Sequence, residues 1–216
     1  MAPTWTQRAY KATEPMWQKI FDHPFIAEMC DGSLPDEKLR YYFEQNLHYI
    51  DAVVRCRCIA AGKADSAEVR DFFLDPAPVI VGELKHQQKM VTELGGRTDA
   101  PLSPTCHAYT RHLLTLSWSR DPVEYFGAFL PCPWTYDEIG KRIKDKLKDE
   151  AQRDWWQFYL SPEHNQMCER YRAMVDKLAD KLSEERQAQM IENFRTTLRY
   201  EYRFWQMAYT METWDI

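Results

Sequence analysis

Apolar residues recur at intervals of three and four along most of the chain, and no run of alternating apolar and polar residues stands out. This pattern predicts an all-α protein. Residues 4–22 form a first helix ending at Asp22-His23-Pro24-Phe25, because the residue before a proline is pushed out of the helical region. A short second piece leads to the turn Asp31-Gly32-Ser33-Leu34-Pro35. The next helix starts at Ser33 or Leu34, with Pro35 in its first turn and Asp36 and Glu37 at the positive end of its dipole. It runs to about Lys63 behind an apolar stripe of Leu39, Tyr42, Phe43, Tyr49, Ile50 and Val53. Residues 66–94 form another helix, interrupted by Pro76-Ala77-Pro78 and ended by Gly95-Gly96. A helix over about 105–118 carries Tyr109, His112, Leu113 and Leu116, and Asp121-Pro122 opens the one after it. Lys141 to Glu150 reads as a solvated charged face. Ser161-Pro162-Glu163 caps a helix to about Leu182, and Ser183-Glu184-Glu185-Arg186 starts the last. The stripe of that last helix is Met190, Phe194, Thr197, Leu198, Phe204, Trp205 and Ala208. The chain reads as a compact bundle of roughly seven to nine helices in one domain over residues 1–216.

Three polar groups interrupt these stripes. Cys132 lies between two prolines in Phe129-Leu130-Pro131-Cys132-Pro133-Trp134-Thr135-Tyr136, where a helix must kink or open. Beyond the break, Cys132, Tyr136, Ile139, Ile143 and Leu147 recur at helical spacing, so the thiol shares a face with apolar side chains. It is either a buried structural cysteine or an inward nucleophile. Asn46 sits where a hydrophobic residue belongs and must be hydrogen-bonded, to a neighbouring group or to a ligand. Glu201 falls on the buried stripe of the last helix. An acid there is paired with an arginine, or desolvation raises its pKa and fits it for acid–base work. With Tyr49, Tyr109, Tyr136 and Tyr159 as stacking rings, Asn46, Cys132 and Glu201 point to a site for a small flat ligand.

Composition narrows the classes. The net charge of −5, with acids and bases interspersed, argues against a nucleic-acid reader. The 8 Trp, 12 Tyr and 10 Phe supply both core and pocket walls. No secretory leader opens the chain and no stretch approaches a membrane span, so the six cysteines read as thiols in a reducing cytoplasm. Cys56-x-Cys58 is not a zinc signature, since side chains two apart on a helix diverge. Glu83-x-x-His86 has the spacing of carboxylate-bridged metal sites, but it lacks a second pair and reads better as a surface pair.

Several pieces match one family in order. They are His23-Pro24-Phe25, Asp31-Gly32-Ser33-Leu34-Pro35, Tyr42-x-x-Gln45-Asn46-x-x-Tyr49, Glu83-x-x-His86, Leu130-Pro131-Cys132-x-Trp134-x-Tyr136, Trp156-x-x-Tyr159 and Glu201-x-x-Phe204-Trp205-x-Met207-Ala208. Together they resemble the TenA family (TENA/THI-4, thiaminase II), which has the haem-oxygenase-like helical fold. The resemblance implies an aminopyrimidine aminohydrolase of thiamin salvage. Such enzymes release hydroxymethylpyrimidine from aminomethylpyrimidine or from thiamin. It implies that Cys132 adds to the ring and that Glu201 is the acid–base residue. Tyr109, Tyr136 and Tyr159 would bind the ring or shape the thiol's surroundings, and Tyr49 would pack on the ring. No metal or organic cofactor is implied, and no nucleic acid or membrane partner. The family is typically a cytoplasmic homotetramer.

The chain departs from the family at Asn46, where the family has Asp holding the nitrogen edge of the pyrimidine. Asn offers an acceptor and two donors but no charge. The consequence expected is weaker affinity or a shifted substrate. Two alternatives follow from the residues. One is a ligand binder without turnover, motivated by Asn46. The other is a metal-dependent oxidase on the same fold, motivated by Glu83-x-x-His86.

Overall fold

The computed structural model describes residues 2–148 and 150–215; Met1, Asp149 and Ile216 lie outside the described residues. The described residues form helices and no strand: α1 Trp5–Phe21, α2 Pro24–Asp31, α3 Asp36–Gly62, α4 Ala67–Leu74, α5 Ala77–Glu93, α6 Pro104–Ser119, α7 Pro122–Phe129, α8 Pro131–Ile143, α9 Glu150–Trp156, α10 Pro162–Ala179 and α11 Glu184–Thr210. No helix among them is long and apolar enough to cross a membrane.

Local signals account for most boundaries. Thr4 caps α1 through a reciprocal box with Gln7, and Ser161 caps α10 ahead of Pro162. Gly32 ends α2 in the left-handed conformation at φ 81°, which glycine adopts without steric cost. Three expectations change. Pro35 is extended and stands at the N-cap of α3, so that helix begins at Asp36 instead of Ser33 or Leu34. The helix after Ser161 stops at Ala179, short of Leu182. The segments number eleven among the described residues, above the expected seven to nine, because the proline breaks divide helices fully and α9 forms as a separate piece. The charged stretch after Lys141 is exposed at its lysines but buries Ile143 and Leu147.

The chain forms two compact units, divided within α7 and within α11. The first holds residues up to 34 and 126–203. Its core is aromatic: Trp17 meets Trp134 edge-on at 5.2 Å, and Phe194 packs on Trp5, Trp17 and Trp134. The Trp5 indole N–H donates to the Gln187 carbonyl (3.1 Å), which satisfies the one polar atom of that buried ring. Asp176 accepts from both the backbone N–H and the hydroxyl of Thr6, tying α1 to α10.

The second unit holds residues 35–125 and 204 onward. Here α3 is the central helix and packs against α4, α5 and α6. Arg57 on α3 is buried and donates to the carbonyls of Phe72 (2.9 Å) and Phe73 (3.0 Å). A cation at the end of α4 suits the negative pole of that helix.

Burial in the first unit makes a pH prediction. His164 is enclosed, and burial lowers its imidazole from 6.5 to about 4, against the opposing pull of the Asp137 carboxylate. The unfolded chain therefore takes up a proton below about pH 6.5 that the folded chain refuses until about pH 4. Stability from this group is complete above pH 6.5 and lost as pH falls toward 4, of the order of 3 kcal/mol. Melting temperatures across that window should fall more steeply for the wild type than for His164→Gln. Parallel curves would show that His164 does not titrate this way.

Candidate active site

Cys132 owes its place to the two prolines. Pro131 is the first residue of α8 and Pro133 the third, positions whose backbone N–H groups have no partner inside a helix. The prolines therefore do not distort α8; they separate it from α7. Leu130 N–H still donates to the Phe126 carbonyl (2.9 Å) and Trp134 N–H to the Leu130 carbonyl (3.2 Å). Cys132 is half-buried at the second position of α8, where the dipole favours negative charge.

One hydroxyl joins this position to Glu201. Thr135 Oγ1 lies 3.0 Å from the Cys132 carbonyl oxygen and 3.2 Å from Glu201 Oε2. Glu201 is 4% exposed and Thr135 fully buried. A hydroxyl has a single proton. Thr135 can donate it to an ionised Glu201, or donate to the Cys132 carbonyl while accepting from a protonated Glu201. The arrangement thus holds the acid in either protonation state, as a proton-transfer group requires.

The tyrosines of this unit stack one turn further along. Tyr136 lies parallel to Trp156 at 5.6 Å, and Tyr159 closes the cluster at 4.9 Å from Tyr136 and 5.4 Å from Trp156. Gly140 permits the approach of α8 to this segment, since a Cβ there would sit 3.2 Å from the Tyr159 carbonyl oxygen.

The second unit carries the other expected residues. Tyr49 and Tyr109 meet at a ring separation of 4.9 Å with their hydroxyls 3.2 Å apart, and both pack on Phe204. Asn46, one turn before Tyr49 on α3, is buried; its Nδ2 donates to Gln87 Oε1 (2.8 Å), and Gln87 Nε2 donates to Glu83 Oε1 (2.6 Å). Gln45 is spent on backbone: its Nε2 donates to the Pro101 carbonyl and its Oε1 accepts from Ser103 N–H, both at 2.9 Å. It fixes the loop that enters α6.

Glu83 of the Glu83-x-x-His86 pair also reaches a buried partner. Gln87, one residue beyond the histidine and wholly buried, donates to its carboxylate. Asp137, His164 and Cys168 form a further cluster whose ligand atoms lie within 4.8 Å of one another. Its donors are already engaged. Asp137 accepts from Lys141 (2.8 Å), Asn165 (3.0 Å) and Arg172 (3.4 Å). Burial holds the Cys168 thiol protonated, donating to the Pro133 carbonyl. The cluster braces α8 against α10.

Burial divides the six cysteines, none of them disulfide-bonded. Burial pushes the thiols of Cys56 up to about 11 and Cys106 up to about 12, and raises those of Cys30 and Cys168. Cys58 is exposed on the outer face of α3, opposite in burial to Cys56, as the two-residue spacing requires.

A model of the TENA/THI-4/PQQC family matches residues 10–211. The chain belongs to this family. The aminopyrimidine aminohydrolase of Bacillus subtilis (strain 168) is 27% identical to it, over 97% of this chain and 92% of the relative. A TenA homologue from P. horikoshii OT3 superposes with a TM-score of 0.88 at 26% identity, over 96% of this chain and 99% of that one. A domain of unknown function with a haem-oxygenase-like fold from Shewanella denitrificans OS217 superposes with a TM-score of 0.75 at 16% identity, over 94% of this chain and 91% of that one. The all-helical, haem-oxygenase-like fold read from the TenA resemblance is therefore the fold of this TENA/THI-4/PQQC member.

Two polar residues escaped the reading of the sequence. Thr135 lies inside the quoted proline–cysteine stretch, but nothing in its spacing reveals that its partner is 66 positions away. Gln87 had a legible local partner at i−4 in Glu83, whereas its bond to Asn46 spans 41 positions.

Proposed function

We propose that this chain is an aminopyrimidine aminohydrolase of the thiaminase II type, acting in thiamin salvage. The observation that carries the reading is the hydroxyl of Thr135 held between the Cys132 backbone and the Glu201 carboxylate. It keeps an inward acid beside the helix start that presents the thiol. Family membership and the activity named for the Bacillus subtilis relative support the substrate class.

In the proposed reaction the Cys132 sulfur adds to the pyrimidine ring as a thiolate. The exocyclic C–N bond then breaks and its electron pair leaves with the amine, which departs as ammonia after gaining a proton from Glu201. Water adds to the exposed methylene and gives up a proton, and the sulfur–ring bond breaks to restore the aromatic ring. The sum is aminomethylpyrimidine plus water giving hydroxymethylpyrimidine plus ammonia. Thiamin would follow the same course with its thiazole as leaving group. Tyr136 and Tyr159, with Trp156, supply ring surface near the thiol's helix; ring binding by Tyr49 and Tyr109 and the nitrogen-edge role of Asn46, all in the second unit, are carried over from the family resemblance.

The test is a product assay. Purified protein given 4-amino-5-aminomethyl-2-methylpyrimidine, or separately thiamin, should yield hydroxymethylpyrimidine by mass spectrometry. Absence of product from both would sink the proposal. Thr135→Val tests the shared hydroxyl. It removes a hydrogen bond to a charged group, worth about 1.5–3 kcal/mol, so kcat should fall roughly ten- to a hundredfold with little change in KM. An unchanged kcat would leave Thr135 a purely structural residue.

We also propose that the chain acts as one domain over residues 1–216 and as a cytoplasmic homotetramer. The family match running from 10 to 211 supports the first, and the six thiols support a reducing compartment. Trp118, 69% exposed in an open groove with Ile59 and Leu114, supports a face for a second copy. Light scattering behind size exclusion should report four chain masses; a monomer would reject the tetramer.

A further inference from the structure

A carboxylate accepts hydrogen bonds and donates none. The Glu83 carboxylate therefore decides the orientation of the amide beside it. At 2.6 Å from Glu83 Oε1, Gln87 must present its NH₂ end. Its carbonyl oxygen then faces Asn46, 2.8 Å away, so Asn46 must in turn offer NH₂. Each amide alone could be turned about without changing its shape. The chain of three removes that choice, because Gln87 is fully buried and both ends of its amide are engaged, by Glu83 and by Asn46. Reversing Asn46 alone would set two carbonyl oxygens against each other.

The remaining atom is Asn46 Oδ1. Asn46 is 6% exposed, and this oxygen takes no hydrogen bond from a described residue. A nearly enclosed acceptor that a small molecule or water still reaches is where a ligand's donor belongs.

We propose that Glu83 and Gln87 lock the Asn46 amide so that its carbonyl oxygen is the acceptor offered to the ligand. The site then selects a heterocycle whose edge donates, an exocyclic amino group, over one whose edge accepts, such as an oxo group. The ligand assignment rests on the aminopyrimidine reading above; the direction of the hydrogen-bond chain does not. The lock gives a neutral side chain a fixed acceptor. It also makes Glu83 and Asn46 a matched pair. In Asn46→Asp, Gln87 has a single NH₂ end for two carboxylates on opposite sides, and one of them meets a carbonyl oxygen. Adding Glu83→Gln supplies a donor on the other side, which releases Gln87 to turn its NH₂ toward the introduced carboxylate.

The experiment compares four proteins: wild type, Glu83→Gln, Asn46→Asp and the double variant. Thermal unfolding without ligand reads the direction of the chain. Asn46→Asp should melt lower than wild type, and adding Glu83→Gln should recover most of the loss. Additive shifts, or Asn46→Asp melting like wild type, would overturn the lock. Calorimetric titration with 4-amino-5-hydroxymethyl-2-methylpyrimidine and its 4-oxo counterpart reads the consequence. Wild type should prefer the 4-amino compound by at least about tenfold, and Glu83→Gln should narrow that preference to a few-fold by freeing the amides to turn. A preference unchanged in Glu83→Gln would overturn the positioning role. Binding of neither compound by wild type would reject the aminopyrimidine reading, while the melting cycle would still uphold or overturn the lock by itself.

Discussion

Cys132→Ala is expected to abolish pyrimidine hydrolysis, with kcat falling at least about a thousandfold, while the melting temperature stays within a few degrees of wild type. Removing the nucleophile of a covalent mechanism leaves only binding and acid–base help, and losses on the order of 10⁶ are known when such groups act as a unit. The fold should tolerate the change because Cys132 is only half-buried and alanine is a strong helix former at the start of α8. The hydrogen bond from Thr135 goes to the Cys132 backbone carbonyl, so it survives the substitution. Single-turnover mass spectrometry of hydroxymethylpyrimidine, with circular dichroism melts alongside, checks both halves. Wild-type turnover in Cys132→Ala would remove the thiol from the mechanism.

The second large effect is expected at Glu201. Glu201→Gln keeps the length of the side chain and can still accept from Thr135, so the buried contact persists. It cannot deliver or take a proton. General acid–base catalysis contributes about 10²–10⁴, and kcat should fall by that range. The limb of the pH–rate profile owed to this carboxyl should vanish as well, which distinguishes lost proton transfer from a slackened structure. A full bell-shaped profile in Glu201→Gln would place the proton on another group, a tyrosine of the cluster being the next candidate.

How far the sequence carried the reading differs from element to element. Helices with one apolar face were legible because burial enforces their period: α1 and α3 lie within a few residues of their expected spans, and α11 starts where the Ser183-Glu184-Glu185-Arg186 signal put it. Proline breaks at Pro76 and Pro131 were legible in position. That Pro131 and Pro133 would sit unstrained in a fresh first turn was not, since this depends on α8 starting anew at that point. The polar residues on buried stripes, Asn46 and Glu201, were found because they violate the pattern. Their partners, Gln87 and Thr135, were not. Neither breaks a local rule, and each meets its partner across a separation that only tertiary structure closes. Glu83 drew attention for its spacing to His86, and its bond to Gln87, a neighbour at i+4 on the same helix face, went unread.

Labelled water puts the cysteine-dependent hydrolysis to its most direct test. Wild type and Cys132→Ala are incubated with 4-amino-5-aminomethyl-2-methylpyrimidine in H₂¹⁸O, and the product is weighed. Hydroxymethylpyrimidine carrying one ¹⁸O is expected from the wild type, and none above background from the variant. No product from the wild type, or labelled product at equal rates from both proteins, would refute the mechanism.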